Sequence, residues 1–598
     1  MDKELMMGNQ AIAFAAIDAG VYFVAGYPGT PSTEIVETIF KVKRDEIYVE
    51  WSVNEKVAFE VAAGASISGQ RALVAMKQVG LNVCSDSVMN LSYIGVKGGL
   101  VLVVADDPGP LSSQTEQDTR NFAYYAKLPL FDPSSPEEAY EMTQKAFEIS
   151  EKFSTPVILR TTTRVSHSFS GVHRNRNNFS INNKKFEKDS KWVCFPALSY
   201  KNHIKIEKRF AELEEEFEKL PYYHADGKGK VLIVTSGINY AYAKEAISFL
   251  ELKSEQYILI KAATVPMPEQ YFADLLQKVD KVIVIEELDS VIEKNLYYLL
   301  ARAGINGRII YGRLSGDVKI AGENTVDEII DLLKNLFGIT DSSKKIIDST
   351  LELKPQAANL CAGCSHRAAF YAVKQAMKGK QAIYCGDIGC YTLGKMEPLN
   401  MMDTCLCMGA SITMGLGMQR ANPDNMVIAF IGDSTFFHTG IQGVINGIYN
   451  NGKLTIIVLD NSSTAMTGGQ PTPETSEVSQ SIKIEDVLHG LGVSVVEAIS
   501  PFDLWNSIKI VQETVELEGI KAIIFRAPCK FKLLSNKKAY IKPDVCNACA
   551  YCIKEIRCPA IHMDNGVVKI DKSNCNGCGL CTEVCKRNAI LLQEECYE

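Results

Sequence analysis

The chain has 598 residues, which is too long for one hydrophobic core, and the usual domain size predicts about four domains. Its 46% hydrophobic and 22% charged residues are typical of a soluble globular protein. The formal net charge of -8, without clustered Lys and Arg, argues against a nucleic acid or an anionic membrane as a partner. The N-terminus lacks the pattern of a secretion signal and no apolar run is long enough to span a membrane, so we expect a cytoplasmic protein.

Residues 1–167 alternate amphipathic helices with short apolar strands. The predicted strands are residues 22–25, 72–76, 100–104 and 157–159. Alternation of this kind is typical of an α/β domain in which helices cover a parallel sheet. The polar segment that follows, residues 168–192, is predicted to be a linker or a long surface loop.

A second α/β segment, residues 193–340, carries a charged helix at residues 206–220. Its predicted strands are residues 231–235, 257–260 and 281–285. No motif in this segment indicates chemistry, so we expect it to have a structural or interface role. A third α/β segment, residues 356–535, and a cysteine-rich tail, residues 537–598, complete the predicted multidomain α/β organisation.

The tail contains two similar cysteine runs. The first run is Cys546, Cys549, Cys552 and Cys558, and the second run is Cys575, Cys578, Cys581 and Cys585. The second run has the spacing that holds 4Fe-4S clusters in bacterial ferredoxins, whereas the last gap of the first run is two residues longer. Structural zinc is the alternative, but zinc prefers two cysteine pairs separated by a longer loop.

In two-cluster ferredoxins, three closely spaced thiolates of each run bind one cluster, and the fourth thiolate binds the other cluster. We therefore predict a pair of crossed 4Fe-4S sites. The cluster-one site consists of Cys546, Cys549, Cys552 and Cys585, and the cluster-two site consists of Cys558, Cys575, Cys578 and Cys581. Because such clusters carry single electrons and perform no organic chemistry, another cofactor must generate those electrons.

Predicted strand ends in the third segment carry oxygen ligands. Asp433 follows a strand at residues 427–431, and Asn461 follows a strand at residues 454–459. A carboxylate and an amide oxygen at these positions suit an octahedral Mg²⁺ that also binds a diphosphate. Taken alone the first motif is weak, because Gly-Asp is common in turns at strand ends.

The Gly-Asp-Ser sequence at the first strand end, followed by the asparagine at the second, resembles the signature of thiamine-diphosphate enzymes. The family has Gly-Asp-Gly, so this chain carries a serine in place of the third glycine. The cofactor-binding residues that the resemblance implies are Gly432, Asp433, Ser434, Asn461, Ser463, Gly468 and Gly469. Among them, the Asp433 and Asn461 side chains and the Ser463 carbonyl are the implied Mg²⁺ ligands.

Thiamine catalysis also needs a carboxylate beside N1' of the aminopyrimidine, because protonation there yields the tautomer that removes the C2 proton. In the family this glutamate precedes a helix in a different domain from the metal site. Glu55 matches that position, and Glu60 is its nearest competitor in the same predicted helix. For an arbitrary glutamate before a helix, interaction with the helix dipole is the alternative.

The sequence Tyr-Pro-Gly-Thr-Pro around Thr30 resembles the Tyr-Pro-x-Thr-Pro loop of 2-oxo acid ferredoxin oxidoreductases. The resemblance implies that Thr30 contacts the substrate carboxylate. A turn that ends in a helix cap at Ser32 or Thr33 is the alternative. Arg120 follows a polar stretch and could bind the substrate carboxylate as well, with a surface ion pair as the open alternative.

Four cysteines outside the tail resemble the positions that hold the cluster nearest thiamine in other members of the superfamily. This third cysteine group consists of Cys361, Cys364, Cys390 and Cys529. The sequence does not show whether these positions converge, so a third 4Fe-4S cluster and unligated buried cysteines both stay open.

The order of the parts, over essentially the whole chain, resembles the alpha subunits of indolepyruvate ferredoxin oxidoreductases. The resemblance implies oxidative decarboxylation of an aryl pyruvate to aryl-acetyl-CoA and CO2, with thiamine diphosphate, Mg²⁺ and 4Fe-4S clusters as cofactors. It also implies coenzyme A and ferredoxin as partners, and a small beta subunit in a heterodimer or heterotetramer. The same chemistry on pyruvate or branched-chain 2-oxo acids, a non-oxidative decarboxylase and a non-catalytic electron-transfer subunit are the alternatives.

Overall fold

The structure is a computed structural model that describes residues 3–42, 47–175, 186–339, 359–475, 480–532 and 535–594. Within these ranges, no helix is both long enough and apolar enough to cross a membrane. The chain divides into two compact units, Met1–Asp348 and Ser349–Glu598.

The first unit consists of the following elements. Its strands are β1 (Glu4–Met7), β2 (Phe23–Gly26), β3 (Tyr48–Trp51), β4 (Ala72–Lys77), β5 (Leu100–Asp106), β6 (Leu130–Phe131), β7 (Val157–Thr162), β8 (Phe169–Val172), β9 (Asp226–Gly227), β10 (Val231–Thr235), β11 (Tyr257–Lys261), β12 (Thr264–Val265), β13 (Lys281–Ile285) and β14 (Ile309–Tyr311). Its helices are α1 (Gly8–Asp18), α2 (Thr33–Lys41), α3 (Glu55–Ile67), α4 (Gln78–Ile94), α5 (Thr119–Ala126), α6 (Pro136–Phe153), α7 (Thr163–His167), α8 (Pro196–Glu218), α9 (Asn239–Phe249), α10 (Glu269–Lys278), α11 (Val291–Arg302) and α12 (Val326–Phe337).

A seven-stranded sheet with the order β12-β6-β7-β5-β4-β2-β3 organises the first segment. Its pairings are parallel except the one between β12 and β6 at the edge. The central strands β4 and β5 are almost wholly buried, which explains their uninterrupted apolar sequences. The edge strand β12 comes from the second segment, so both segments share this sheet.

A five-stranded sheet with the order β14-β13-β10-β11-β9 organises the second segment. The strands predicted at residues 231–235 and 281–285 are confirmed by β10 and β13. Helix α8 begins at Pro196, ten residues before the predicted start at residue 206, because a proline is tolerated in the first turn of a helix.

Residues 168–192 were expected to form a linker or loop, and this expectation is wrong for residues 169–172, which form strand β8. Strand β8 pairs antiparallel with β1 near the N-terminus, with Leu5 opposite Gly171. This pairing joins residues more than 160 positions apart, so the local polar composition gave no sign of it. Residues 176–185 of the same segment lie outside the described residues.

The second unit contains the third segment and the tail. Its strands are β15 (Ala382–Gly386), β16 (Thr404–Cys405), β17 (Met426–Gly432), β18 (Leu454–Asp460), β19 (Val495–Ile499), β20 (Ile520–Arg526), β21 (Lys537–Ile541), β22 (Ile561–Asp564), β23 (Val567–Ile570) and β24 (Ile590–Glu594). Its helices are α13 (Ser365–Ala376), α14 (Ala410–Ala421), α15 (Asp433–Thr435), α16 (Ile441–Tyr449), α17 (Ile484–Gly490), α18 (Leu504–Thr514), α19 (Tyr551–Ile556) and α20 (Leu580–Val584).

A parallel six-stranded sheet with the order β16-β15-β17-β18-β20-β19 forms the core of the third segment. The tail forms the antiparallel pairs β21–β24 and β22–β23, with the short helices α19 and α20 between them in the chain. Phe370 of α13, Ile556 of α19 and Leu580 of α20 belong to one buried hydrophobic cluster. The tail therefore packs directly on the third segment and shares its core.

Candidate active site and cysteine sites

The three residues that carry the implied Mg²⁺ ligands lie together at the carboxyl edge of the second unit's sheet. Strands β17 and β18 are parallel neighbours, so Asp433 and Asn461 leave the sheet on the same side. The Ser463 backbone N–H lies 3.1 Å from Asp433 Oδ2 and 3.1 Å from Asn461 Oδ1. The structure thus brings the predicted side chains and the Ser463 main chain into one small group.

The charge balance of this group suits a divalent cation. Asp433 is only 3% exposed, and burial together with the nearby Asp460 carboxylate raises the Asp433 pKa to about 7. Asp460 has a counter-charge in Arg526, whereas Asp433 forms no ion pair with Lys or Arg among the described residues. The Ser463 hydroxyl, also buried, has no hydrogen-bond partner there. A bound Mg²⁺ would stabilise the ionised form of Asp433.

Glycines are required at two places along the same carboxyl edge of the sheet. A Cβ added to Gly432 would lie 2.6 Å from the Tyr391 ring, so only glycine permits this close packing. Gly468 and Gly469 have φ values of 126° and 89°, which other residues rarely adopt. They form a tight turn after Ser463, in which the Gly469 N–H donates to the Thr464 carbonyl at 3.1 Å.

Sequence reasoning missed His366 and Asp387. His366 Nε2 lies 3.3 Å from Asn461 Nδ2, and burial lowers the His366 pKa to about 4, so the ring is neutral. Asp387 follows β15 and accepts the backbone N–H groups of Gly409 and Ser411, which fixes the start of α14. Asp387 carries the same strand-end signal as Asp433 and could have been found by it, whereas His366 lies on a helix without a local signal.

In the first unit, Glu55 is the first residue of α3 and is 5% exposed. Its carboxylate lies over the backbone of Gly80 in α4: a Cβ at Gly80 would be 2.7 Å from Glu55 Oε1. Glycine at this position therefore leaves the room that the glutamate occupies. Glu60, in contrast, is exposed and pairs with Lys56 on the surface of the same helix.

Thr30 lies in a loop held by polar contacts. Its carbonyl accepts the Ser112 hydroxyl at 3.0 Å, and the Lys77 ammonium group donates to the Ser112 carbonyl at 2.9 Å. The Ser32 hydroxyl donates back to the Gly29 carbonyl at 2.8 Å and does not cap α2. Lys77, which sequence reasoning missed, places a cation beside the loop.

Arg120 is engaged by its own protein rather than left open for a substrate. It is 3% exposed, and it forms ion pairs with Asp118 at 2.6 Å and with Glu286 at 2.8 Å. A further donor reaches the Glu287 carbonyl at 2.9 Å. The alternative of an ion pair is therefore the arrangement observed, although Arg120 and its partners are buried and not on the surface. We accordingly remove Arg120 from the candidate substrate site.

Replacing Arg120 with methionine is expected to destabilise the first unit by about 3–5 kcal/mol, because the Asp118 and Glu286 carboxylates would remain buried without a counter-charge. Urea denaturation of the full chain, followed by fluorescence, measures this loss. Lys145→Met on the exposed face of α6, which breaks a surface pair with Glu148, is the control and is expected to leave the transition unchanged. Unchanged stability together with a raised KM for the substrate would instead place Arg120 in the substrate site.

The tail cysteines surround two cavities in the arrangement that crossed clusters require. One cavity is lined by Cys558, Cys575, Cys578 and Cys581, the cluster-two site. The other is lined by Cys546, Cys549, Cys552 and Cys585, the cluster-one site. The longer gap before Cys558 therefore does not prevent this residue from joining the second run.

The thiols of the third cysteine group lie within electrostatic range of one another. Burial and the neighbouring thiols of Cys364, Cys361 and Cys529 raise the pKa of Cys390 to about 11. Cys529 is affected by Cys364 and Cys361 in the same way. Cys364 also lines the cavity of the cluster-two site. Thiolates are the donors that iron-sulfur clusters use, so the chemistry of these four side chains suits iron.

Three family models match consecutive parts of the chain. Residues 14–212 match pyruvate flavodoxin/ferredoxin oxidoreductase, thiamine diP-binding, and residues 387–520 match the thiamine pyrophosphate enzyme C-terminal TPP binding domain. Residues 568–591 match the 4Fe-4S binding domain, which favours iron-sulfur over zinc for the second cysteine run.

Full-length relatives decide the family. The indolepyruvate oxidoreductase subunit IorA of Thermococcus kodakarensis is 38% identical over 640 residues, covering 99% of this chain and 98% of that protein. The chain belongs to the indolepyruvate oxidoreductase IorA family. Subunits IorA of Archaeoglobus fulgidus and Methanothermobacter marburgensis are 36% and 37% identical, each covering 98% of this chain and 97% of the relative. The predicted fold class and family resemblance are thereby confirmed, with thiamine-diphosphate-binding domains and a 4Fe-4S domain in this IorA-family chain.

Proposed function

We propose that the chain is the thiamine-containing subunit of an enzyme that oxidises an aryl pyruvate such as indolepyruvate and reduces ferredoxin. The 2-oxo acid, coenzyme A and two oxidised ferredoxins give aryl-acetyl-CoA, CO2, a proton and two reduced ferredoxins. One observation carries this proposal: a single unit contains both the sheet edge with Asp433, Asn461 and Ser463, called the metal edge, and the cysteine-lined cavities. A decarboxylase without electron transfer would not need those cavities.

Bound thiamine diphosphate would supply a nucleophilic carbon and a cationic ring that can accept the electron pair left when CO2 departs. In the proposal, Asp433, Asn461 and the Ser463 carbonyl hold the Mg²⁺ that carries its diphosphate. Glu55 holds a proton at the aminopyrimidine, and Thr30 contacts the substrate carboxylate. Lys77 beside the Thr30 loop adds the positive charge that Arg120 does not provide.

The cysteines provide the electron carriers of the proposal. The cluster-one and cluster-two sites each hold one 4Fe-4S cluster, and the third cysteine group holds another. Because Cys364 lines the cavity of the cluster-two site, the third group lies next to the tail and can pass electrons to it. A small beta subunit, coenzyme A and ferredoxin are the partners.

The proposal is tested with the chain and its small partner subunit purified together without oxygen. Coenzyme-A-dependent viologen reduction is measured with indolepyruvate, phenylpyruvate, pyruvate and a branched-chain 2-oxo acid. The aryl substrates are expected to give the highest kcat/KM, and iron counting is expected to give about twelve irons per chain, the content of three cubane clusters. A preference for pyruvate or branched-chain acids would select that alternative, and aldehyde release without viologen reduction would indicate a non-oxidative decarboxylase.

Replacing Glu55 with glutamine is expected to lower viologen reduction by about 100-fold or more, because the amide cannot protonate the aminopyrimidine. Thiamine diphosphate content should stay the same, which separates catalysis from binding. The matched control is Glu60→Gln on the exposed face of the same helix, which should keep full activity. Equal losses in both variants would show that Glu55 acts only through the stability of α3.

A further inference from the structure

Arg367 is a buried cation that the proposed chemistry does not use. It is the third residue of α13 and is only 2% exposed. Its guanidinium joins the third segment to the tail through backbone carbonyls. It donates to the Leu360 carbonyl in the third segment, and to the Ile556 and Arg557 carbonyls in the tail, with a distance of 3.0 Å to Arg557. Among the described residues, no Asp or Glu forms an ion pair with it.

The same guanidinium lies between two groups of cysteines. It lines the cavity of the cluster-two site, and Cys558 follows directly after the carbonyls of Ile556 and Arg557 that fix it. On its other side, Arg367 follows Cys364 of the third cysteine group after two residues in the chain. The side chain interacts electrostatically with Cys558, Cys578, Cys361 and Cys364.

A cation in this position favours the reduced form of a neighbouring cluster. A 4Fe-4S cluster with its four thiolates is anionic, and each added electron increases that negative charge. The interaction with a buried charge is strong because the surrounding dielectric constant is low. Charge and hydrogen bonding around a cluster are the means by which a protein sets its reduction potential.

We propose that Arg367 is a positioning residue that raises the reduction potential of the cluster at the cluster-two site. This inference rests on the proposed function, because it requires clusters in the tail and electrons that arrive from the third cysteine group. The raised potential makes electron movement from that group into the tail favourable. The effect depends on the charge of Arg367 and not on its carbonyl contacts alone.

The test compares Arg367→Gln with Arg367→Lys in the complete, anaerobically purified enzyme by redox titration followed by EPR. In the Gln variant, the equilibrium constant for reducing one tail cluster should fall at least tenfold, which is about 59 mV toward more negative potential for one electron. The Lys variant loses the forked carbonyl contacts but keeps the charge, so its potential should stay within a few-fold of the wild-type equilibrium. Lys509→Gln removes an exposed charge of α18 that lines neither tail cavity, and it should change no potential measurably.

Equal shifts in the Gln and Lys variants, or no shift in a Gln variant with full iron content, would overturn the proposal. If the Gln variant loses iron, Asn576→Asp answers the same question, because Asn576 lines the same cavity and the substitution adds a negative charge there at constant shape. A lowered potential in Asn576→Asp supports the charge effect, and an unchanged one rejects it. A wild-type enzyme without tail clusters would contradict the proposed function itself, which is a separate result.

Discussion

Replacing Asp433 with alanine is expected to remove thiamine diphosphate from the purified chain and to lower viologen reduction by more than about 100-fold. Asp433 is the buried carboxylate of the metal edge that has no Lys or Arg partner among the described residues. Its loss would leave Mg²⁺ with only neutral implied protein ligands, the Asn461 amide oxygen and the Ser463 carbonyl, so the ion that carries the diphosphate would be held weakly. Cofactor content after gel filtration and the rate of viologen reduction check this result.

The control is Asp424→Asn, an exposed substitution just before β17 in the same sheet, which should retain cofactor and activity. Iron content should be unchanged in Asp433→Ala, because the cysteine sites do not include this residue. Thiamine diphosphate retained at the wild-type level in Asp433→Ala would reject the metal edge. A wild-type chain that binds no thiamine diphosphate at all would favour the non-catalytic electron-transfer alternative.

Pairs of cysteine substitutions are expected to reveal the crossed arrangement of the tail through iron content. Cys558→Ser combined with Cys575→Ser should remove about four irons, the content of one cubane, because both residues line one cavity. Cys585→Ser combined with Cys575→Ser should remove about eight, because these residues line different cavities although they belong to the same run.

Iron analysis of anaerobically purified variants gives the counts, and EPR of the reduced proteins shows which cluster signal remains. Each cysteine run binding its own cluster would reverse the two results: the first pair would then lose about eight irons and the second about four. Cys194→Ser, at an exposed cysteine of the first unit, is the control and should keep the full iron content.

Features that depend on neighbouring residues could be predicted from the sequence. The strands that end before Asp433 and Asn461 were predicted within one residue at each end, and parallel neighbours bring their carboxyl ends to one edge. The cysteine spacing predicted which four tail cysteines line each tail cavity. In both cases the signal lies in a short stretch of chain whose geometry is fixed by its own secondary structure.

Features that depend on distant partners could not be predicted. The ion pair of Arg120 joins residues 166 positions apart, and the pairing of β1 with β8 is equally remote in sequence. The same reason explains His366, which reaches Asn461 from 95 positions away. The interaction between Cys364 and Cys529 also required the fold, because these residues lie at opposite ends of the third segment.

The central claim is that electrons taken from the 2-oxo acid enter iron held by this chain's own cysteines. The direct measurement mixes the anaerobic enzyme with indolepyruvate in the absence of ferredoxin and viologen, and records EPR spectra after rapid freezing. We expect signals of reduced 4Fe-4S clusters that appear with the release of CO2 and are absent in Glu55→Gln. Release of CO2 while every cluster stays oxidised would contradict the account.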